Sequence, residues 1–319
     1  MPLSAAYRHA DPGVDLSGYL DRGLHSIWYE LSGNPAGLPV INLHGGPGAG
    51  LYPEDRCLFD PARYRLLQFD QRGCGRSSPL ACLDENDTDR LVADIDALAD
   101  HLGFDRFVLT GHSWGTSLAI RYAIHNPARC RHLVLRGLCL LSEAEFAWNN
   151  SGWRTIFPDA WAEFSQSVGG ADGYIASESL LMSDDVAVAQ KVAVAMTRFE
   201  LSCCFLEPDP AVIDSYLDPD LCLATARIGL HYAANGWFLE PDSLLRDFGA
   251  VRHIPCTIVQ GRYDIVTPFG IAHAFQSAWA EVELICSGVA GHMPSDTGNI
   301  IALTDLMDRL AATLGGEME

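Results

Sequence analysis

The sequence predicts an α/β fold: a mostly parallel sheet flanked by helices, with an inserted helical segment. Three observations predict it. Short apolar runs alternate with helical patterns through the first half of the chain. Strand-like runs become rare from about Leu138 to Leu245, where helical patterns with tryptophan, phenylalanine and acidic residues dominate. The alternation then resumes at Pro255. Strand–helix–strand alternation implies parallel pairing with helices on both faces. The expected division is a core of residues 1–137 and 246–319, with a helical cap of residues 138–245. At 319 residues the chain is long enough for one large core carrying a lid.

Each element has a local reason. "LPVINLHGG" (38–46) is a buried strand running into a glycine loop, and "YRLLQFD" (64–70) is a second strand. In "TDRLVADIDALADHLG" (88–103), Leu91, Val92, Ile95, Leu98, Ala99 and Leu102 recur at helical spacing. Thr88 is expected to cap its start and Gly103 its end. "RFVLTG" (106–111) is a strand, "SLAIRYAIHNP" a helix stopped near Pro127, and "HLVLRG" (132–137) another strand. Within the insertion, "DDVAVAQKVAVAMTRFELSCC" (184–204) is the clearest helix. "PCTIVQG" (255–261) and "VELICSG" (282–288) return to strand, and "IIALTDLMDRLAATLG" (300–315) is an amphipathic closing helix.

Composition excludes several functions. Hydrophobic residues make up 48% of the chain, as expected of a packed globular protein. Net charge is −20, which repels phosphate backbones and argues against a nucleic-acid partner. Between Glu143 and Asp242 there are 16 acidic and 4 basic residues, a net of −12. This reads as a solvated acidic surface or, more sharply, as an acidic rim that attracts a cationic substrate. No secretory signal is visible in Met1–Gly18 and no apolar run reaches transmembrane length, so the expectation is a soluble cytoplasmic protein without a membrane partner. Ten scattered cysteines without a C-x-x-C pair read as buried free thiols in a reducing compartment. No zinc-type Cys/His spacing appears, so no metal is expected.

The chemistry centres on "TGHSWGTSLA" (110–119). Gly111-His112-Ser113-Trp114-Gly115 falls at a strand-to-helix junction, where glycines permit a sharp turn that exposes the serine hydroxyl. A serine nucleophile needs a base, and the base needs an orienting carboxylate. In this architecture both follow the serine, acid first. Asp264 in "VQGRYDIVTP" and His292 in "AGHMPSD" each lie just past a strand. Alone, the aspartate would read as a turn residue and the histidine as structural; their order and placement make them the expected catalytic partners of Ser113. The tetrahedral oxyanion needs two donors. They are assigned to the N–H groups of Trp114, directly after the nucleophile, and of Gly46 in "HGGPGAG". That loop lacks G-K-[ST] and G-x-G-x-x-G spacing, which disfavours nucleotide binding.

Together "LHGGPGAG", "FDQRGCGRSSP", "GHSWGTSLA", "LVLRGLCLL", "FPDAW", "GRYDIVTP" and "AGH" resemble the prolyl aminopeptidase (proline iminopeptidase) family of α/β-hydrolases, from about Ser17 to His292. The resemblance implies a capped serine peptidase that removes one N-terminal residue, typically proline, from small peptides without a cofactor. It also implies cap carboxylates holding the substrate's α-ammonium. Glu200 in "TRFELS" matches the first, the family's tryptophan-glutamate having become Phe199-Glu200. Three positions depart. The second glutamate aligns with Gly229, a phenylalanine with Cys139, and an aromatic residue of the proline pocket with Asn149. The departures put proline specificity in question and leave the hydrolytic residues intact. The alternatives are a hydrolase or acyltransferase acting on an aminoacyl small molecule (an amide, ester or natural-product intermediate), a cofactor-free lyase or haloperoxidase, and a catalytically silent binding protein.

Overall fold

The computed structural model describes residues 5–170 and 172–315. An eight-stranded sheet has the order β1-β2-β4-β3-β5-β6-β7-β8. Its strands are β1 (Leu16–Arg22), β2 (His25–Gly33), β3 (Leu38–Leu43), β4 (Tyr64–Phe69), β5 (Phe107–His112), β6 (Cys130–Arg136), β7 (Cys256–Gln260) and β8 (Glu283–Cys286). β1 and β2 form an antiparallel hairpin closed by Gly23 and Leu24, with Gly23 at φ 78°. β2 also pairs antiparallel with β4, and from β4 to β8 every pairing is parallel.

The central strands are buried on both faces, and alternation along each one divides the core in two. Ile41, Leu43, Leu67, Phe69, Leu109, Leu133, Leu135 and Ile258 face α1 (Thr88–His101) and α2 (Trp114–His125). Val40, Leu66, Val108, Val134 and Val259 face the last helix, through Leu303, Leu306, Met307 and Leu310. The cap of α1 differs from expectation: the carboxylate of Asp87 accepts from the Arg90 N–H, while Thr88 is the first helical residue and donates its hydroxyl to the Trp237 carbonyl. An aspartate with extended backbone one residue earlier wins the position.

Between β6 and β7 the described residues form only helices: α3 (Glu143–Ile156), α4 (Pro158–Ser167), α5 (Gly173–Leu181), α6 (Val186–Cys204), α7 (Pro210–Asp214), α8 (Pro219–Ala234) and α9 (Ser243–Asp247), with short 3₁₀ turns. Their starts follow from sequence. Ser142 and Glu145 make a reciprocal capping box on α3, Asp185 caps α6, and Asp218 followed by Pro219 starts α8. These helices hold a core of their own around Phe164, Val192, Met196, Phe199 and Leu223, in which Phe164 and Phe199 stack with centroids 5.7 Å apart. The expected limit at residue 245 falls inside α9, and Ile228, Tyr232 and Leu244 join the sheet core instead. After β7 come α10 (Phe269–Ala278) and, after β8, α11 (Thr297–Leu314).

Candidate active site

Ser113 follows β5 and precedes α2 at φ 54°, ψ −126°, a conformation that non-glycine residues rarely adopt. Its glycine neighbours are required by space. A Cβ on Gly111 would lie 2.2 Å from the Gly115 carbonyl oxygen, and one on Gly115 2.4 Å from that of Leu43. The serine is thereby lifted from the end of the sheet against the β3 loop, where a Cβ on Gly45 would lie 3.1 Å from the Ser113 Cβ.

Asp264 and His292, expected partners on separate loops, are brought together. His292 Nδ1 donates to Asp264 Oδ2 at 2.9 Å, and both side chains are buried. The carboxylate is held from four other directions. The backbone N–H groups of Val266 and Thr267 donate to Oδ1, and the Gln260 amide and Thr267 hydroxyl donate to Oδ2. Gln260 in turn accepts from the Leu138 N–H. The histidine loop is pinned from two sides. Arg136, buried at the end of β6, donates to the His292 carbonyl, and the N–H groups of His292 and Met293 donate to the Cys204 carbonyl at 3.0 and 3.2 Å. Gly137, at φ 61°, makes room for the ring: a Cβ there would stand 3.1 Å from His292 Cε1.

The oxyanion candidates sit on the other side of Ser113. Neither the Gly46 nor the Trp114 N–H has an acceptor among the described residues, whereas the Gly45 N–H donates to His112 Nε2 at 3.1 Å. Burial drives the His112 pKa well below its ordinary value, which keeps the ring neutral and able to accept. Trp114 is anchored by its indole N–H to Gln71 Oε1, and Gln71 is held by both the ring and the carbonyl of His44. Beneath the loop, Asp55 accepts from Asn42, and burial pushes its carboxyl up to about 6.

The four expected substrate contacts are distributed over the helical segment and the β6 loop. Glu200 lies on α6, one turn before Cys204, whose carbonyl meets the His292 backbone. Burial pushes its carboxyl up to about 7, against the lowering effect of a 3.3 Å hydrogen bond from the Tyr174 hydroxyl. No other carboxylate contributes to that shift. Asp209 caps α7, Glu240 lines a separate cavity, and Glu207 is exposed. Gly229 on α8 faces open space: a Cβ placed there would have no atom within 4 Å, while its neighbours Thr225 and Ile228 press on Gly48 of the oxyanion loop. Cys139 is tied by its backbone to Thr116 and Ser117 of α2, and its thiol is pushed up to about 12 by burial. Asn149 Oδ1 is buried without a hydrogen-bond partner.

Sequence reasoning passed over Gly45, Gly137, Arg136, Gln260, Thr267 and Tyr174. Gln260 carried a signal, a polar residue closing an apolar strand before a glycine; Tyr174 carried none. All ten cysteines are unbonded, but Cys286 is exposed and Cys82, Cys139 and Cys204 are half-buried, because they lie on loops, a strand edge and a helix end rather than in the core.

The strand order and the serine turn define an α/β-hydrolase, and a family model described as alpha/beta hydrolase fold matches residues 39–190. The relatives narrow the class. A proline iminopeptidase of Xanthomonas citri is 42% identical, covering 90% of this chain and 93% of its own. One of Arabidopsis thaliana is 40% identical, covering 92% and 78%. The crystal structure of a proline iminopeptidase-related protein from Thermus thermophilus superimposes with a TM-score of 0.61 at 22% identity, covering 93% and 97%, a likeness of fold. The chain belongs to the proline iminopeptidase family of α/β-hydrolase enzymes. No helix among the described residues is long and apolar enough to cross a membrane.

Proposed function

We propose that this chain is a serine aminopeptidase that releases an N-terminal residue, proline foremost, from small peptides through an acyl-enzyme. The observation that carries the reading is the convergence of three loops: Ser113 in its left-handed turn after β5, and the Asp264–His292 pair supplied by the loops after β7 and β8. Ser113 Oγ attacks the scissile carbonyl, and His292 takes its proton and returns it to the leaving amine. Asp264 holds the imidazole and stabilises its charged form. The free N–H groups of Gly46 and Trp114 receive the oxyanion. Water, deprotonated by His292, then releases the acyl group. Residues 138–245 act as a cap, with Glu200 facing the substrate's α-ammonium. A cation at that position favours the ionised carboxylate and offsets its burial. The names of the relatives support the peptide substrate. The unbonded thiols support a cytoplasmic setting.

A second reading is a hydrolase or acyltransferase with a remodelled aminoacyl substrate. The space at Gly229, the lone Glu200 carboxylate and the unpartnered Asn149 Oδ1 favour it. Rates on proline naphthylamide, other aminoacyl naphthylamides and simple esters, for wild type and Ser113→Ala, decide between them. Preferred turnover of the proline amide, abolished in Ser113→Ala, is the expected result. Ester turnover alone would select the second reading, and activity unchanged in Ser113→Ala would remove both.

A further inference from the structure

The geometry points to a second binding site, apart from Ser113, for a small organic ammonium ion with an apolar body. It lies where the loop after β6 meets the segment joining α8 to α9. A cavity of about 200 Å³ there is walled by Leu140, Phe146, Trp237 and Leu244. An apolar cavity of roughly 150 Å³ is enough to accept benzene. Phe146 and Trp237 lie nearly parallel, with centroids 6.2 Å apart, and give the wall an aromatic lining. Neither Ser113, Asp264, His292, Gly46 nor Glu200 lines it.

Three further observations give the cavity its chemistry. Glu143, Glu240 and Asp242 line it and are exposed, and none of them forms an ion pair among the described residues; the nearby Arg246 pairs with Asp247 instead. Ser243 also lines it, is 5% exposed, and has a hydroxyl without a hydrogen-bond partner. A buried hydroxyl left unpaired calls for a ligand donor or acceptor. Leu141, Trp237 and Asp242 adopt φ of 57°, 59° and 53°, and such strain gathers where ligands are held. An aromatic, apolar wall with a negative rim favours an organic cation over carboxylates and phosphates. The acidic excess of residues 143–242 therefore has a local focus. Trp237 also packs on the buried Trp114 at 5.5 Å, so one side chain separates this cavity from the residue that follows Ser113.

The test uses the full chain carrying Ser113→Ala, with phenethylammonium as probe and phenethyl alcohol as its neutral match. Binding is followed by tryptophan fluorescence and calorimetry. Saturable binding of the ammonium at one site is expected, several-fold tighter than the alcohol and weakened by salt. Replacing two of the three rim charges in Glu240→Gln/Asp242→Asn should weaken it by about tenfold, with Ser243→Ala weaker in effect. Melting temperatures verify that the variants are folded. Equal binding of the alcohol would reduce the site to an apolar crevice and overturn the proposal. Binding unchanged in Glu240→Gln/Asp242→Asn would move the cation away from this cavity and overturn the proposal too, as would no saturable binding. Hydrolysis plays no part in the readout, so the outcome is independent of the aminopeptidase reading.

Discussion

The loops at the ends of the parallel strands and the helices above them are built by opposite rules. At the strand ends nearly every polar group has a partner: the Asp264 carboxylate takes five hydrogen bonds, the Gln71 amide makes two, and the glycines are fitted to within contact distance of their neighbours. In the helical segment Glu200 has one partner, Asn149 Oδ1 none, and Gly229 faces empty space. A fully satisfied network fixes geometry, as an attacking serine and its base require. An unsatisfied buried group is completed by whatever binds, as selection of a substrate requires. On the proposed function, the difference teaches that the reaction is written into the strand ends and the choice of substrate into the helices.

The predictions test that division. Ser113→Ala removes the proposed attacking atom and should lower kcat by at least ~10⁴-fold with little change in melting temperature. Gly137→Ala should come next. Its Cβ meets His292 Cε1 at 3.1 Å, and the residue sits at φ 61°. A loss of roughly 10²-fold in kcat is expected from a misplaced base, together with about 1–2 kcal/mol of stability from the left-handed backbone. Gly103→Ala is the control: φ is 72° but nothing lies within 4 Å. It should lose similar stability and keep full activity. Equal kinetic damage in both variants would show that strain, not contact with His292, matters at Gly137.

Glu200→Gln tests the helical side. If the carboxylate holds the substrate ammonium, KM for proline naphthylamide should rise about 10–100-fold while ester turnover by the same enzyme changes little. Wild-type kcat/KM for the amide should climb with pH through about 7 as Glu200 ionises, and that step should vanish in the variant. The free protein should show the converse trend. Glu200 and Asp55 are raised from 4.5 to about 7 and from 3.8 to about 6, so the folded chain holds protons that the unfolded chain has released. These two groups therefore contribute a fall in stability as pH rises through roughly 4 to 7, opposed by the buried His112 and His132, whose lowered pKa values contribute a rise. Melting curves for Glu200→Gln and Asp55→Asn should each lose part of that slope; an unchanged slope in both would refute the assignment.

How much of this was legible in the sequence follows the same division. The fold class is readable because β3, β4, β5, β6 and β7 are buried on both faces, and buried parallel strands are short unbroken apolar runs. The hairpin of β1 and β2 went unread because β1 is an exposed edge strand whose polar residues match no buried pattern. The pairing of Asp264 with His292 follows from loop order, since loops after neighbouring parallel strands emerge side by side. Tyr174 and the Cys204 carbonyl are invisible in sequence: they reach the site by helix packing, which no local spacing encodes. Even the cap of α1 turned on one residue, Asp87 in place of Thr88, because both residue types favour that position.

Gly229 gives the smallest effects and the most direct comparison of the two regions. It sits inside α8, where glycine costs roughly 0.5–1 kcal/mol relative to alanine, and its Cβ would meet nothing within 4 Å. Gly229→Ala should therefore stabilise the chain by about that amount, raising the melting temperature by a few degrees at most, and leave kinetics unchanged. Gly229→Glu should keep most of that gain and add a second carboxylate to the face that presses on the oxyanion loop. If amine recognition is limited by charge at this face, KM for proline naphthylamide should fall several-fold, with no change for an ester lacking the ammonium. A variant stabilised like alanine but kinetically silent would mean that the open space at Gly229 does not face the substrate. Specificity would then rest on Glu200, Cys139 and Asn149. The sites behave differently because a strand-end glycine is held by its neighbours, whereas this one is free to accept a side chain.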